Sequence, residues 1–302
     1  MKLSIASFRS VVDRSWKSMH SVCALRTCRN TMLIRSVPQP RVGVQVGLAW
    51  YCSVDCFAEA SLIRLTELSD QRVVEMPHRP RLSIGLVMLS KNYLTSEQLR
   101  QAALQSQLCG EELEAVLLRT GLATEWQLAS ARAAQWNCPV LKQDRVGLPV
   151  EVDVPASVLR GFSAVPLHYA PNGGRLLLGF VHRLEHTLLH AVEQMTGCRA
   201  EPCFITPAEF DAQMPRVTGS PDCQEVVFDE IMTPAQMAKT LGGLTIEVAA
   251  REARFVHCRD YIWTRLFGKQ RRVDVLFRAR VEPPVENSED FYIERQNIGT
   301  WG

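Results

Sequence analysis

Four cysteines near the amino end of the chain have the type and the spacing to bind a metal ion. Cys23 and Cys28 are separated by four residues, and Cys52 and Cys56 are separated by three. Short loops of this kind can bring two thiolates to one tetrahedral ion, with Zn–S bonds of about 2.3 Å. The spacing predicts a structural zinc site, and buried free thiols or a redox-active pair are the alternatives.

The residues around these cysteines indicate how they are positioned. Residues 37–51 (VPQPRVGVQVGLAWY) alternate apolar and polar side chains around glycines, which is typical of a β-hairpin. The second cysteine pair leads into a helix that we expect over residues 57–68. A cysteine knuckle, a hairpin and a helix-borne pair together resemble a treble-clef zinc finger. We therefore expect a zinc-binding module over residues 19–70, preceded by a disordered leader over residues 1–18.

A repeat follows this module. Residues 87–102 and 116–131 match each other at an offset of 29 residues. In each copy a threonine, Thr95 or Thr124, is followed three residues later by glutamine, which is the signature of a helix capping box. Each copy is therefore predicted to form a helix, a short turn and a capped helix. Together with a connector they would form a pseudo-symmetric helical subdomain over residues 82–160.

The remainder of the chain completes an α+β multidomain fold. We expect residues 161–215 to form a ββαβα subdomain. Residues 228–281 are expected to form a helix followed by a β-hairpin, with strands over residues 253–266 and 272–280. The acidic segment over residues 282–302 is expected to be a disordered tail.

Composition and charge restrict the class of protein. The chain has 302 residues, a net charge of +2 and 22% charged residues, which is typical of a soluble globular protein and excludes a strongly polyanionic partner for the whole chain. Residues 1–56 hold eight lysines and arginines against two acids, which keeps nucleic acid as an unfavoured alternative partner. No apolar run reaches the roughly 20 residues of a membrane span, so we expect a cytoplasmic protein.

Residues 82–215 resemble the amino-terminal domain of type II secretion and type IV pilus assembly ATPases. In that family one helix–turn–helix motif occurs twice with a short spacer, which corresponds to the 29-residue offset of this chain. An α+β subdomain follows the paired motifs. The resemblance further implies a ligand, because several members of the family bind the second messenger cyclic di-GMP through arginine, glycine and apolar residues of these motifs.

The family motif is only partly kept. The motif residues that remain, and that the resemblance implies for nucleotide binding, are Gly85, Leu99, Gly121, Leu128 and Gln135. The leading arginine is replaced by Ser83 and Glu112, and a motif glycine is replaced by Glu114 in the second copy. The other departures are Asn92 for glycine, Ala103 and Arg132 for leucine, and Ser106 for glutamine. Serine and glutamate cannot supply the planar donor fork of a guanidinium. We therefore expect cyclic di-GMP binding to be absent or weak.

These observations predict a non-enzymatic bacterial regulatory or adaptor protein that acts through a protein partner, such as a component of secretion or pilus machinery. Two alternatives stay open: a cyclic di-GMP receptor with degenerate motifs, and a zinc-dependent nucleic-acid-binding protein. No catalytic residues are predicted. His182, His186 and His190 lack a nearby carboxylate or cysteine to complete a metal site, and His257 and Cys258 alternate across a strand.

We predict that the chain does not hydrolyse ATP. It has no G-x-x-x-x-G-K-[ST] loop to hold the phosphates, and Gly268-Lys269 is followed by glutamine. The residues after 215 are also too few for the family's ATPase module. The measurement is steady-state phosphate release by the purified protein. Turnover above background that follows the protein peak through repurification would contradict the prediction.

Overall fold

The structure is a computed structural model, and it describes residues 23–28, 43–71, 82–141, 154–170, 173–217 and 222–279. The predicted leader over residues 1–18 and the predicted acidic tail over residues 282–302 lie outside these residues. No helix in the described part of the chain has the length and apolar character needed to cross a membrane. The predicted α+β fold class is confirmed, with helices grouped around two sheets.

The amino-terminal module contains the predicted hairpin and helix. Strands β1 (Val44–Val46) and β2 (Ala49–Tyr51) pair antiparallel around a two-residue turn. Gly47 opens that turn with φ of +58°, a conformation that suits glycine. Helix α1 (Val54–Asp70) begins three residues before the predicted start, because the Ser53 hydroxyl accepts a hydrogen bond from the Cys56 amide and caps the helix there.

The repeat forms four helices, α2 (Ile84–Ser90), α3 (Ser96–Cys109), α4 (Leu113–Arg119) and α5 (Glu125–Trp136). Both predicted capping boxes are present, at Thr95 and at Thr124. Equivalent positions of the two copies meet in one apolar core. The buried pairs at the 29-residue offset are Val87 with Val116, Met88 with Leu117, Leu94 with Ala123, and Ala102 with Ala131.

The two copies also exchange hydrogen bonds. The side chain of Gln135, at the end of the second copy, donates to the Leu82 carbonyl just before the first copy at 2.7 Å. The hydroxyl of Ser106, at the end of the first copy, donates to the Glu111 carbonyl just before the second copy at 2.5 Å. The end of each copy is therefore hydrogen-bonded to the start of the other, and the helical subdomain is a single pseudo-symmetric unit.

The next segment is the predicted ββαβα unit, preceded by one short helix. Its elements are α6 (Ala156–Gly161), β3 (Ala164–Ala170), β4 (Arg175–Phe180), α7 (His186–Thr196), β5 (Arg199–Phe204) and α8 (Pro207–Gln213). β4 is the central strand, antiparallel to β3 and parallel to β5. Helix α6 lies in the predicted connector, because the Glu225 carboxylate accepts from the amides of Ala156 at 3.0 Å and Ser157 at 3.2 Å.

The carboxyl-terminal block is larger than the predicted helix and hairpin. It contains β6 (Cys223–Phe228), α9 (Pro234–Glu247), β7 (Glu252–Cys258), β8 (Tyr261–Phe267) and β9 (Arg272–Arg278). The single strand predicted over residues 253–266 is wrong. It is two antiparallel strands joined by a tight turn, in which Arg259 takes a φ of +51°.

The amino-terminal hairpin belongs to the same sheet as the carboxyl-terminal strands, which the sequence analysis did not predict. The strand order of this central sheet is β2-β1-β7-β8-β9-β6. β1 runs parallel to β7, with Gln45 opposite Glu252, and the Gln45 amide donates to the Arg251 carbonyl at 2.8 Å. Helix α1 packs against α9 over the same sheet. The two ends of the described chain therefore form one structural unit.

The central sheet is covered on both faces. On one face Phe255, Ile262 and Phe277 pack with residues of α1 and α9. On the other face Trp263 and Leu276 join the core of the ββαβα unit. Because side chains alternate across a strand, β8 and β9 place apolar residues on both sides and appear in the sequence as nearly continuous buried runs.

A buried carboxylate lies at the centre of this second face. Asp274 accepts two hydrogen bonds from the Arg265 guanidinium, each at 2.7 Å, and one from the Trp263 indole at 2.8 Å. The Cys223 thiol donates to the same carboxylate at 3.1 Å. Arg265 also reaches the Met195 carbonyl at the end of α7, as does Arg254. The charge of Asp274 therefore links three strands of the sheet to a helix of the neighbouring unit.

We predict that Asp274→Asn destabilises the protein by about 3–5 kcal/mol, because it leaves the Arg265 cation buried without its counter-ion. The matched control is Glu247→Gln, which breaks the exposed Arg271–Glu247 ion pair. An exposed pair contributes only about 0–1 kcal/mol, so the control should unfold nearly as the unchanged protein does. Urea denaturation measures both. Equal effects of the two substitutions would contradict the prediction.

Candidate metal centre and ligand motifs

The structure brings the four predicted cysteines together. The sulfur atoms of Cys23, Cys28, Cys52 and Cys56 all lie within 4.8 Å of one another. Two Sγ–Sγ distances are 3.6 Å, between Cys28 and Cys52, and 3.7 Å, between Cys52 and Cys56. Zn–S bonds of about 2.3 Å in a tetrahedron place sulfurs about 3.8 Å apart, so the donor set fits a four-coordinate ion.

Backbone contacts hold both cysteine pairs. The Ala24 amide donates to the Trp50 carbonyl of β2 at 2.8 Å, which fixes the first pair beside the hairpin. A turn in which the Cys28 amide donates to the Leu25 carbonyl closes the loop between Cys23 and Cys28. In the second pair, Cys52 directly precedes the Ser53 cap, and Cys56 is the residue whose amide that cap binds. The start of α1 thus sets the geometry of the second pair.

The chemistry of the cluster is that of a closed site. Burial raises the pKa of the Cys56 thiol. A metal ion would bind the four cysteines as thiolates. Four protein ligands complete a tetrahedral shell and leave no open position for a substrate, which is the arrangement of structural rather than catalytic sites.

Three other cysteines lie in different surroundings. Burial raises the pKa of Cys138 to about 11, and it raises the pKa of Cys203 and Cys258 further. Thiols of this kind are poor nucleophiles, because the thiolate is the reactive species. Within the described residues, the only cluster of potential metal ligands is the group of Cys23, Cys28, Cys52 and Cys56.

The histidines considered in the sequence analysis make other contacts. The His186 ring lies beside the Trp136 ring, with centroids 6.0 Å apart, and His190 forms a hydrogen bond with Gln194 at 2.8 Å.

Three of the five nucleotide-motif residues meet at one place. A Cβ at Gly85 would lie 2.7 Å from a methyl carbon of Leu99, so a larger residue at this position would require the Leu99 side chain to shift. Leu128 is buried in the same core, and Leu99 packs against it. Gln135 reaches the carbonyl before α2, whereas Gly121 lies in the exposed turn after α4. Packing alone therefore accounts for Gly85 and both leucines, and their assignment to a nucleotide stays a prediction.

The turn position of the motif keeps its backbone conformation in both copies. Gly121 has φ of +69°, and Asn92 at the equivalent position has φ of +57°. Asparagine is among the few residues other than glycine that adopt the left-handed region readily. The replacement of glycine by Asn92 therefore preserves the turn between the two helices of the first copy.

Two departures from the family motif in the second copy pair with each other. Arg132 donates to the Glu114 carboxylate, and it also donates to the Val181 carbonyl at 2.7 Å. The Arg132 side chain is 10% exposed and that of Glu114 is 26% exposed. The sequence analysis did not predict this contact. The available signal was that a new acid and a new base occur in the same copy on two helices of one small subdomain.

The leading motif positions, Ser83 and Glu112, are both helix N-caps. The Ser83 hydroxyl accepts from the Leu86 amide at 3.4 Å, whereas the Glu112 side chain makes no such bond. His182 lies near Arg132, and burial, assisted by the Arg132 charge, holds the pKa of His182 below its ordinary value. With that imidazole neutral and Arg132 paired to Glu114, Glu112 leaves this end of the second copy acidic.

Comparisons with known proteins agree with the predicted resemblance. Over 129 residues the chain is 28% identical to the type IV pilus assembly ATPase PilB of Thermus thermophilus. The aligned part is 42% of this chain and 14% of that protein, so the chain spans a small fraction of the length of this relative. The resemblance to type II secretion and type IV pilus ATPases is confirmed. A scan against protein-family models finds no match.

Solved structures give similar matches. MshE, in its structure with cdg, is 19% identical, and the match covers 46% of this chain and all of that chain, with a TM-score of 0.39. The N-terminal domain of XpsE is 25% identical, and the match covers 50% of this chain and 99% of that chain, with a TM-score of 0.35.

Proposed function

We propose that this chain is a non-enzymatic, cytoplasmic adaptor whose secretion-ATPase-like helical unit binds a protein partner. The observation that carries the proposal is the Glu114–Arg132 ion pair. Glu114 and Arg132 occupy two positions at which the family motif has a glycine and a leucine. Their charges neutralise each other within the second copy and are not directed to a ligand. The caps and the apolar core of both copies are nevertheless intact. A unit that keeps its fold and replaces its ligand contacts is suited to protein interaction.

The partner class follows from the similarity to a pilus assembly ATPase, over 42% of this chain. We infer a component of secretion or pilus machinery. The exposed leucines of the helical unit offer apolar contact area for such a partner: Leu82, Leu86, Leu104, Leu108 and Leu118. No phosphate-binding loop accompanies this unit in the sequence, which supports a role without ATP hydrolysis.

Two alternatives remain. A cyclic di-GMP receptor is favoured by the backbone at Asn92 and Gly121, since both copies keep the left-handed turn of the motif, and by the similarity to MshE. A nucleic-acid-binding role rests on basic residues that lie mostly outside the described residues, before Cys23 and over residues 29–42.

We further propose that the four-cysteine cluster binds one zinc ion as a structural site. The support is the compact set of four sulfurs, with no carboxylate or imidazole among the ligands. Soft thiolate donors in tetrahedral geometry favour zinc over magnesium or calcium. The ion would fasten the loop after Cys23 to the hairpin and to the start of α1, and through β1 to the central sheet.

We expect about one zinc ion per chain from metal-replete expression, and loss of most of that zinc in the double variant Cys52→Ser, Cys56→Ser, because two thiolates bind a structural ion too weakly. The same variant should unfold at a lower temperature. Elemental analysis and thermal denaturation measure both. The matched control is Cys109→Ser, which removes an exposed cysteine outside the cluster. Full zinc retention in the double variant, or well under one zinc in the unchanged protein, would contradict the assignment.

We expect cyclic di-GMP to bind more weakly than about 1 mM. Each lost cation–ring contact removes about 0.5–2 kcal/mol, and each lost charge-assisted phosphate bond about 1.5–3 kcal/mol. Isothermal titration calorimetry measures the affinity. Each 1.4 kcal/mol of lost binding energy raises the dissociation constant tenfold, so these losses would weaken a micromolar ligand beyond about 1 mM. A dissociation constant at or below about 1 µM would overturn the adaptor proposal in favour of the receptor.

The structure also defines how binding could be restored. Ser83→Arg and Glu112→Arg return the guanidinium groups, and Glu114→Gly returns the glycine. Glu114→Gly alone would leave Arg132 buried without its carboxylate, so Arg132→Leu has to accompany it. The matched control carries lysine at positions 83 and 112, which restores the charge without the planar fork. Gain of binding with arginine but not with lysine is the expected result.

A further inference from the structure

Strand β6 is the last strand on one side of the central sheet, next to β9. The two strands run parallel, with Cys223 opposite Arg272. In such a pair, successive residues turn both of their backbone groups alternately towards the neighbouring strand and away from it. The Arg272 amide donates to the Asp222 carbonyl at 2.7 Å, which sets the phase of this alternation. Glu225 and Val227 therefore turn their N–H and C=O groups away from the sheet.

The outward backbone groups of Glu225 and Val227 have no backbone partner among the residues that the structure describes. Val227 is 36% exposed and Glu225 is also exposed, so no described element covers the strand at this point. Unpaired N–H and C=O groups along a sheet edge form a template on which another strand can pair.

The other sheet edges in the described part of the chain are protected. At the opposite side of the central sheet, β2 has only three residues, and the Ala24 amide donates to its Trp50 carbonyl at 2.8 Å. In the smaller sheet, β3 contains Pro166 beside an irregularity in its register, and Phe204 of β5 pairs with Val140. Short strands, proline and covering segments are common ways to block edge pairing. β6 has six residues and no proline, so its edge stays open to a further strand.

The charge around β6 restricts what can pair there. Residues 222–230 contain no lysine or arginine and four acids: Asp222, Glu225, Asp229 and Glu230. Within the described residues, the first, third and fourth of these form no ion pair, and the Glu225 carboxylate accepts only from neutral donors at the start of α6. The paired strand β9 adds Arg272 and Arg278, so four carboxylates outnumber two guanidinium groups and leave an excess of negative charge.

This charge distinguishes between occupants of the edge. Like charges that face each other across a strand pair are unfavourable, whereas opposite charges are favourable. A second copy of β6 would bring another set of acids to the edge and is therefore a poor occupant. A strand that carries lysine or arginine is a good one.

The side chains of β6 differ between its two faces. Val226 and Phe228 pack against the core under α1 and α9, and the Phe228 ring stacks on Phe277 with centroids 5.3 Å apart. Glu225 and Val227 lie on the opposite face, because side chains alternate along a strand. An incoming strand that alternates apolar and basic residues would place the apolar ones beside Val226 and Phe228 and the basic ones beside Glu225.

We propose that the outer edge of β6 binds an extended segment of a protein partner, in which lysine or arginine alternates with apolar residues. The segment adds one strand to the six-stranded central sheet. Its backbone bonds supply affinity and its alternating side chains supply selectivity. This edge is separate from the helical unit, so the interaction goes beyond the adaptor role proposed for that unit and does not depend on it.

The first test measures fluorescence anisotropy with the full chain and a labelled peptide of alternating lysine and valine, about as long as β6. Val227→Pro should weaken binding at least tenfold, because proline removes an outward N–H and leaves the bonds to β9 in place. The matched control is Val227→Thr, which keeps the N–H and a branched side chain and should bind like the unchanged chain. Urea denaturation verifies that both variants are folded. Equal binding by the two variants, or no binding by the unchanged chain, would overturn the proposal.

Charge is tested with the same peptide. Asp229→Lys combined with Glu230→Lys should weaken binding about tenfold, whereas Asp211→Lys, which changes an exposed acid of α8, should not. A peptide with glutamate in place of lysine should bind the unchanged chain at least tenfold more weakly. Equal affinity for the two peptides would refute the selection of a basic strand.

Hydrogen exchange of single amides identifies the occupant without relying on a variant. In the free chain the amides of Glu225 and Val227 should exchange faster than those of Gln224 and Val226, which bond β9, and the lysine–valine peptide should slow them at least tenfold. Light scattering gives the oligomeric state of the same sample. Slow exchange of the outward amides in a monomer would show that the chain's own segment fills the edge. Slow exchange in a dimer would show that a second copy fills it, and either result would overturn the proposal.

Discussion

The central sheet depends on the hydrogen bonds that the buried Asp274 carboxylate accepts. A buried carboxylate is tolerated only when donors surround it, and here the donors to Asp274 of β9 come from β6 and β8. Arg265 extends the network to the last turn of α7, where helix carbonyls lack partners within the helix. The ββαβα unit is thereby placed against one face of the sheet by directional bonds as well as by apolar packing. The opposite face, under α1 and α9, is held by an apolar core.

That second face explains the position of the four-cysteine cluster. α1 is fixed at one end by the Ser53 cap beside Cys52 and Cys56, and along its length by Phe57 and Leu65 in the core. The hairpin contributes only three residues to each strand, which is marginal for a sheet edge. The proposed ion would join the hairpin to the helix and so stabilise both elements at this short-stranded edge of the sheet.

Local signals predicted the local elements. The threonine–glutamine spacing located α3 and α5, and the glycine-spaced alternation located the hairpin, because caps and turns depend on neighbouring residues. Non-local contacts were not predicted. Helix α6 owes its start to Glu225, which lies far along the chain, and the parallel pairing of β1 with β7 has no local signature. The turn within the strand predicted over residues 253–266 was missed, because it is formed at Arg259 and has no glycine or proline to mark it. Four cysteines could be grouped from spacing alone, whereas Glu114 and Arg132 could be paired only once their helices were packed.

The parallel pairing of β1 with β7 has a consequence for the order of events during synthesis. Gln45 faces Glu252, so the hairpin has its sheet neighbour only after about two hundred further residues have left the ribosome. At about 5–20 residues per second this interval lasts roughly 10–40 s. All four cysteines emerge well before it ends, and the helical unit between them and β7 is complete in the sequence by Trp136, long before β7 is made. The nascent amino end therefore presents the β1 edge without its neighbour β7 for tens of seconds, and early capture of an ion by the cysteines would stabilise the hairpin until the last strands arrive.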